Sequence, residues 1–403
     1  MFKMNKKIKG SKNLNVPNLR FPEFKKSYYQ TTISKLATIV GGGTPDTTVQ
    51  EYWNGGIQWF TPSEIGKKKY ADKSERTISR EGLSNSSAKL LPINTILLST
   101  RATIGESSIA KVECCTNQGF QSLIANEKIV CYEYMYYLVA TLKKELIRKS
   151  CGSTFLEISA NEVRKIKTFV PSLDEQSKVS SLLSLIDDRI ATQIKIIEDL
   201  KKLKSAICDK YFTYGNSIRL GDIGSFVRGL TYSSADIVDN NIGTAVLRSN
   251  NISNGEKVNL NELVWVNKTP GKDQLLKKND IVICMANGSS SLVGKNSYYS
   301  DSEITSATVG AFCGIYRSNH PIAKWLLQSK HYKKSIHQSL QGGNGAIANV
   351  YPEDILSICF DIPCDNHIYS DMLENLECKL ELEKSALGKL KSLKQYLLSQ
   401  MFI

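Results

Sequence analysis

The chain has 403 residues, enough for two or three domains at roughly 150 residues each, and its 41% apolar and 23% charged residues are ordinary for a globular protein. The formal net charge is +13. No stretch approaches about 18 uninterrupted apolar residues, which excludes a membrane-spanning helix.

Residues 1–26 form a basic N-terminal segment with eight bases and one acid, so it holds over half of the excess charge. No apolar segment follows it, so it does not read as a secretory signal. The rest of the chain is only mildly basic, a balance compatible with a nucleic-acid partner but insufficient to establish one. Block 27–173 consists of short apolar runs punctuated by Gly, Asn, Thr and Pro, such as IQWFTPSEI (57–65), TILLST (95–100) and FQSLIA (120–125). Those runs predict strands, with one helix over 132–149. From Asp174 to Phe212 there is neither Gly nor Pro, and 174–212 predicts one long helix. Block 213–364 mirrors the first, with a short helix near 321–339. Segment 365–403, interrupted only by Gly388, predicts a second long helix.

The chain resembles itself. LLPINTILLST from Leu90 returns as LLKKNDIVICM from Leu275, LATIV ending at Val40 as IGSFV ending at Val227, and LKKLKSAICDKYF from Leu200 as LKSLKQYLLSQMF from Leu390. The offsets drift between 185 and 192 residues, as small loop insertions in a duplicated domain would produce. The predicted fold is α+β: two homologous strand-rich domains, each followed by a long helix.

In the first helix an apolar stripe runs Leu183, Ile186, Ile190, Gln193, Ile197, Leu200, Lys204, Ile207, Tyr211. In the second it runs Leu373, Leu376, Leu380, Glu383, Leu387, Leu390, Lys394, Leu397, Met401. These are coiled-coil seams with polar breaks at matching places. An antiparallel register setting Lys204 against Glu383 and Gln193 against Lys394 aligns both pairs of breaks, and would relate the domains by a pseudo-twofold axis. Each helix, at about 36 residues, would be roughly 54 Å long. The alternative is that each helix packs on its own domain and turns its polar positions to water.

Sites of chemistry are absent from the sequence. The ten cysteines form no CxxC pair and are expected to be reduced, most of them small buried apolar residues. Gly288–Asn296 has one residue too many for a P-loop and Asn in place of Ser or Thr; Gly41–Pro45 and Gly342–Gly345 read as turns. His320, His331, His337 and His367 have no metal-ligand spacing. Asp187 and Asp188 read as solvated helix surface rather than catalytic carboxylates.

The words NVPNLRFPEF (15–24), GGGTP (41–45), ILLSTRATIG (96–105), TNQGFQSLI (116–124) and VPSLDEQSKVSSLLSLIDDRI (170–190) resemble the specificity subunits of type I restriction-modification systems. In the second half Asn366-His367 replaces Glu175-Gln176. The resemblance implies two target recognition domains, at 27–173 and 213–364, each reading one half of a split double-stranded DNA target. The helices would form the antiparallel coiled coil, set the spacing and dock two methyltransferase subunits, with restriction/translocase subunits joining them. The chain itself would do no chemistry and bind no cofactor; S-adenosylmethionine, ATP and Mg would sit on the partner subunits, in the bacterial cytoplasm.

Base reading uses polar side chains on loops, and phosphate contacts use cations. The first block offers Lys67, Lys68, Lys69, Arg76, Arg80, Arg101, Thr103, Gln118 and Gln121. The second offers Arg228, Arg248, Asn250, Asn251, Asn287, Ser289, Ser290 and Lys295. The rival readings are a self-contained DNA methyltransferase or nuclease with an unrecognised site, and a coiled-coil scaffold without a DNA role.

Overall fold

A computed structural model describes residues 3–4, 15–152, 156–212, 214–239, 242–300, 304, 306–340, 347–364 and 366–403. Gly342–Gly345 and, within the basic N-terminal segment, residues 1–2 and 5–14 lie outside the described residues. The chain divides into two compact units, Met1–Ile194 with Ser385–Ile403, and Lys195–Lys384. The division passes through both long helices, Leu173–Tyr211 and Asn366–Met401. Each unit is therefore a strand-rich block together with the start of one helix and the end of the other, rather than a block followed by a free-standing rod.

The first unit carries a five-stranded sheet in the order Ala37–Gly41, Gln121–Ala125, Ile96–Leu98, Ser107–Ala110, Tyr70–Ala71. Beside it is a three-stranded sheet in the order Cys114–Thr116, Trp53–Phe60, Arg76–Ile78. Ile96, Leu97, Leu98 and Ile109 are buried on both faces, which is why these strands read as continuous apolar runs. The second unit repeats the plan. A four-stranded sheet runs Ser225–Arg228, Cys313–Arg317, Ile281–Cys284, Asn296–Tyr298, and a three-stranded one runs Val264–Val266, Thr244–Leu247, Ala307–Val309. In both units the strand leading into the long helix pairs antiparallel with the first strand of its block: Lys167–Val170 with Tyr29–Thr32, and Cys359–Ile362 with Asn216–Arg219. The helix expected over 132–149 is two, Tyr132–Thr141 and Lys143–Arg148, because the amide of Leu142 divides its hydrogen bond between Leu138 and Val139.

Buried polar groups explain the Glu-Gln word. The guanidinium of Arg20 grips the Glu175 carboxylate through two bonds of 2.7 and 2.8 Å, and the Tyr28 hydroxyl adds a third at 3.3 Å. The Gln176 amide donates to the carbonyls of Ile129 and Pro171 and accepts from the amide of Cys131. The two side chains thus clamp the N-terminal strap, the helix that begins at Tyr132 and the end of strand Lys167–Val170 to the first turn of the long helix. At the second helix, Asn366 donates to the nearby Pro363 carbonyl at 3.3 Å, and Ser370 donates to the Pro321 carbonyl at 3.1 Å.

The stripes read from sequence are the packed faces: Leu183, Ile186 and Ile197 on the first helix and Leu373, Leu380, Leu397 and Met401 on the second are buried. The helices run antiparallel, but the polar register differs from the expectation. Lys204 pairs with Glu377, not Glu383, which pairs along its own helix with Lys379 at 2.6 Å. Lys394, which was expected opposite Gln193, makes its ion pair with Asp187 at 2.6 Å. Asp187 and Glu377 stand one position to the side of the seam, where each lysine also meets an aromatic ring of its unit. Lys394 lies 5.6 Å from the Tyr137 ring and Lys204 5.1 Å from that of Trp325. The expected register treated the helices as an isolated pair, whereas the strand-rich block supplies the third wall. Asp187 is correspondingly not a solvated carboxylate; the Tyr137 hydroxyl donates to it at 2.7 Å. The cysteines also depart from expectation: Cys114, Cys115, Cys208, Cys284 and Cys313 are buried, Cys131 is half-buried, and Cys151, Cys359, Cys364 and Cys378 are exposed.

Candidate nucleic-acid interface

Four loops meet at one end of the first unit: 41–45, 60–64, 100–105 and 117–119. Glycine makes the meeting close. A Cβ at Gly42 would stand 1.9 Å from the Asn117 carbonyl oxygen, and one at Gly119 would stand 2.8 Å from the Pro62 ring. The Gly43 amide donates to Thr116 and its carbonyl accepts from the Trp59 indole, at 2.8 and 2.9 Å. The next loop is shaped by a capping box in which the Glu64 carboxylate accepts from both the amide and the hydroxyl of Thr61.

The second unit builds the same end from the equivalent loops, 228–232, 248–251, 285–290 and 310–313. Gly229 is the counterpart of Gly42, and a Cβ there would stand 2.2 Å from the Gly310 carbonyl. The Thr61–Glu64 box has its counterpart at Arg248–Asn251, where Asn251 Oδ1 accepts from the Arg248 amide at 2.9 Å. Between these loops opens a cleft of about 470 Å³, walled in part by Tyr232, Arg248, Asn287, Phe312 and Ile347.

The structure gathers some candidates at these loop ends and removes others. In the first unit, Arg101 is exposed and meets Glu157 at 2.9 Å, Thr103 donates to Ser99 at 3.1 Å, and Gln118 accepts from Thr44 at 2.6 Å. Gln121 is the strand partner of Gly41. Arg76 lies 3.5 Å over the ring of Trp53, whose indole donates to Asp46 at the margin of the first loop. Arg80 is exposed at the start of the helix Arg80–Ser84. Lys67 and Lys68 are exposed, and the Ser108 hydroxyl donates to the Lys68 carbonyl at 2.7 Å. Lys69 is turned inward: its side chain is 11% exposed, against Glu133, Ser184 and the rings of Tyr70 and Tyr137. It braces the first long helix.

In the second unit, Arg248 and Asn287 line the cleft; Arg228, Asn250, Ser289 and Ser290 are exposed on its neighbouring loops. Asn251 is buried, and its amide donates to the carbonyls of Asn259 and Asn261 at 2.9 and 3.0 Å, so it shapes the loop instead of facing a ligand. Lys295 is half-buried beneath the loop, near Cys284. Thr44, Ser63 and Asn117 in the first unit, and Phe312 in the second, were missed. Phe312 is 63% exposed. Its signal was available, since aligning TNQGF with VGAFC places this aromatic where the first unit has Gly119.

Residues 26–202 match the family model described as the type I restriction modification DNA specificity domain. The chain is 36% identical over 184 residues to the MjaIX specificity subunit of Methanocaldococcus jannaschii, covering 45% of this chain and 42% of that protein. It is 30% identical over 163 residues to the EcoR124I/EcoR124II specificity subunit of Escherichia coli, covering 39% and 40%. The chain thus spans less than half the length of these two relatives. In fold it is similar to the S subunit of the M. genitalium type I restriction-modification system, with a TM-score of 0.58 and 17% identity over 96% of this chain and 99% of that one. The chain is thus similar in sequence, over residues 26–202, to the type I restriction modification DNA specificity domain, and in fold, over most of its length, to a type I S subunit.

Proposed function

We propose that this chain is the DNA sequence-recognition subunit of a type I restriction-modification enzyme. Each unit reads one half of a bipartite double-stranded target with its loop end. The long helices set the spacing and dock two methyltransferase subunits, directing adenine methylation, or restriction where restriction/translocase subunits join. The chain is non-catalytic in this reading. S-adenosylmethionine, ATP and Mg belong to the partner subunits, and the assembly works in the bacterial cytoplasm.

The observation that carries the reading is the duplicated loop end. Gly42 against Asn117 and Gly229 against Gly310 hold the same loops in the same arrangement, while the residues those loops present differ: Thr61 against Arg248, Gly119 against Phe312. A conserved frame with a changed display suits two readers of two different short sequences, since base edges are discriminated by side chains and not by backbone. The spacing role rests on length: a helix of 39 residues is roughly 58 Å long, more than the ~34 Å of one DNA turn.

The test is to replace 27–173 with the equivalent block of a relative, express the complete system in a host, and sequence the methylated sites. One half of the target should change, and the other half and the gap should stay. A change in both halves, or in the gap, overturns the modular reading. A chain that transfers methyl groups alone would favour the self-contained enzyme.

A further inference from the structure

Cys313 lines the second unit's cleft, and a second thiol, Cys284, stands beside it on the neighbouring strand. Cys284 ends strand Ile281–Cys284, Cys313 begins strand Cys313–Arg317, and the two are direct partners across the antiparallel ladder. Their backbone groups bond elsewhere. The Cys284 amide donates to Lys295, its carbonyl accepts from Gly294, and the next rung is made by the Met285 amide to Phe312. Cys284 and Cys313 therefore form a non-hydrogen-bonded pair, the closer kind, with Cα atoms about 4.5 Å apart. That lies inside the ~4.4–6.8 Å range a disulfide spans without backbone movement. Both residues are buried, and Cys313 is part of the wall of the 470 Å³ cleft. The first unit has Ser99 and Phe120 at the equivalent bridge, so the pair belongs to the second unit alone.

We propose that Cys284 and Cys313 are an oxidisable dithiol, closed to a disulfide by a small hydroperoxide that enters through the cleft. The surroundings favour one ionised sulfur. The Cys313 thiol donates to Cys284 and, with Lys295 and Asn287 nearby, holds Cys284 below the usual thiol range, while the same bond and burial push Cys313 up. The chemistry runs in two steps. The Cys284 thiolate attacks the peroxide and breaks its O–O bond; with one proton taken up, this gives Cys284 sulfenic acid and an alcohol, or water from hydrogen peroxide. The Cys313 sulfur then attacks the sulfenic sulfur, forming the S–S bond, and its proton leaves with the displaced hydroxyl as water. Two thiols are oxidised by two electrons and one peroxide is reduced.

The experiment uses the full chain, reduced and then exposed to graded hydrogen peroxide. The products are blocked with maleimide, digested without reductant and read by mass spectrometry. The expected product is a 284–313 cross-linked peptide that dithiothreitol removes and that Cys313→Ser cannot form. It should accumulate before any link among the exposed Cys151, Cys359, Cys364 and Cys378. Maleimide on both Cys284 and Cys313 after unfolding, at a peroxide dose that has oxidised the exposed thiols, overturns the proposal. So does stable sulfenic acid on Cys284 without the link. The wild-type chain alone decides the matter if the variant does not fold, and because the thiols are the readout, failure here leaves the DNA reading untouched.

Discussion

The ammonium of Lys394 lies 2.6 Å from the carboxylate of Asp187, and the internal repeat turns this pair into its own second copy. Moving both residues by the 190-residue offset of the helix ends exchanges Lys394 for Lys204 and Asp187 for Glu377, which are the partners in the second unit. Each lysine also lies against a ring of its own unit, so one helix–helix–domain joint has been made twice.

Breaking that joint should cost stability. Lys394→Met leaves the mostly buried Asp187 with the Tyr137 hydroxyl and no cation, a loss of about 1–3 kcal/mol in urea unfolding of the full chain. In a double-mutant cycle with Asp187→Asn the second change should then be nearly free. Strict additivity would show that the two side chains do not interact in solution.

The Arg20–Glu175 pair is more deeply buried and its removal should cost more. Arg20→Met strands a carboxylate at 2% side-chain exposure, for which about 3–5 kcal/mol is typical. The strap around Tyr28 should become the first site cut by protease. A variant with the parent's unfolding midpoint and the parent's digestion pattern would refute the clamp.

Thiol labelling should divide the cysteines by environment. Burial disfavours the thiolate and pushes Cys114 and Cys208 up to about 12 and Cys115 to about 11. A thiol of pKa about 12 is ionised to roughly one part in ten thousand at pH 8, so iodoacetamide should leave these three unmodified in the folded chain. Cys151, Cys359, Cys364 and Cys378, which are exposed, should react first. Early modification of Cys208 would show that the helix-to-domain joint opens.

Neighbouring residues of one loop should fail in different ways. Arg248→Ala should leave folding unchanged and relax preference at one base position by ~1–3 kcal/mol, read by retention on a library of duplexes. Asn251→Ala removes three buried hydrogen bonds and should lower stability by about 2–4 kcal/mol. If Asn251→Ala folds like its parent but changes base preference, the assignment of roles is reversed.

Lys67 and Lys69 offer a similar contrast. Lys67→Gln should reduce the salt dependence of DNA binding by about one unit if the side chain meets a phosphate. Lys69→Gln should leave that slope alone and weaken packing against Glu133 and Ser184. A slope that falls only with Lys69→Gln would place the cation on DNA after all.

The duplication, the two long helices and the faces they bury are legible in the residue pattern alone. Those features are written in local patterns: a 3,4-spaced apolar stripe, an absence of Gly and Pro, and words repeated at a nearly constant offset. The pattern also marks the loops that carry the candidate interface, through GGGTP and TNQGF. Which polar residues of those elements face outward depends on the packed fold. Lys69 and Arg101 are both basic residues near a loop, yet one is folded beneath a helix and the other stands at the rim; Asn250 and Asn251 are adjacent, yet one is exposed and the other holds three backbone groups. The register of the helices was undecidable for the same reason. Lys204 and Lys394 answer to groups brought in from distant parts of the chain, Trp325 and Tyr137, and each pairs with a carboxylate one step off the seam. Periodicity reports which side of an element is buried, whereas the partner of a buried charge is fixed by whatever else the fold packs against that side.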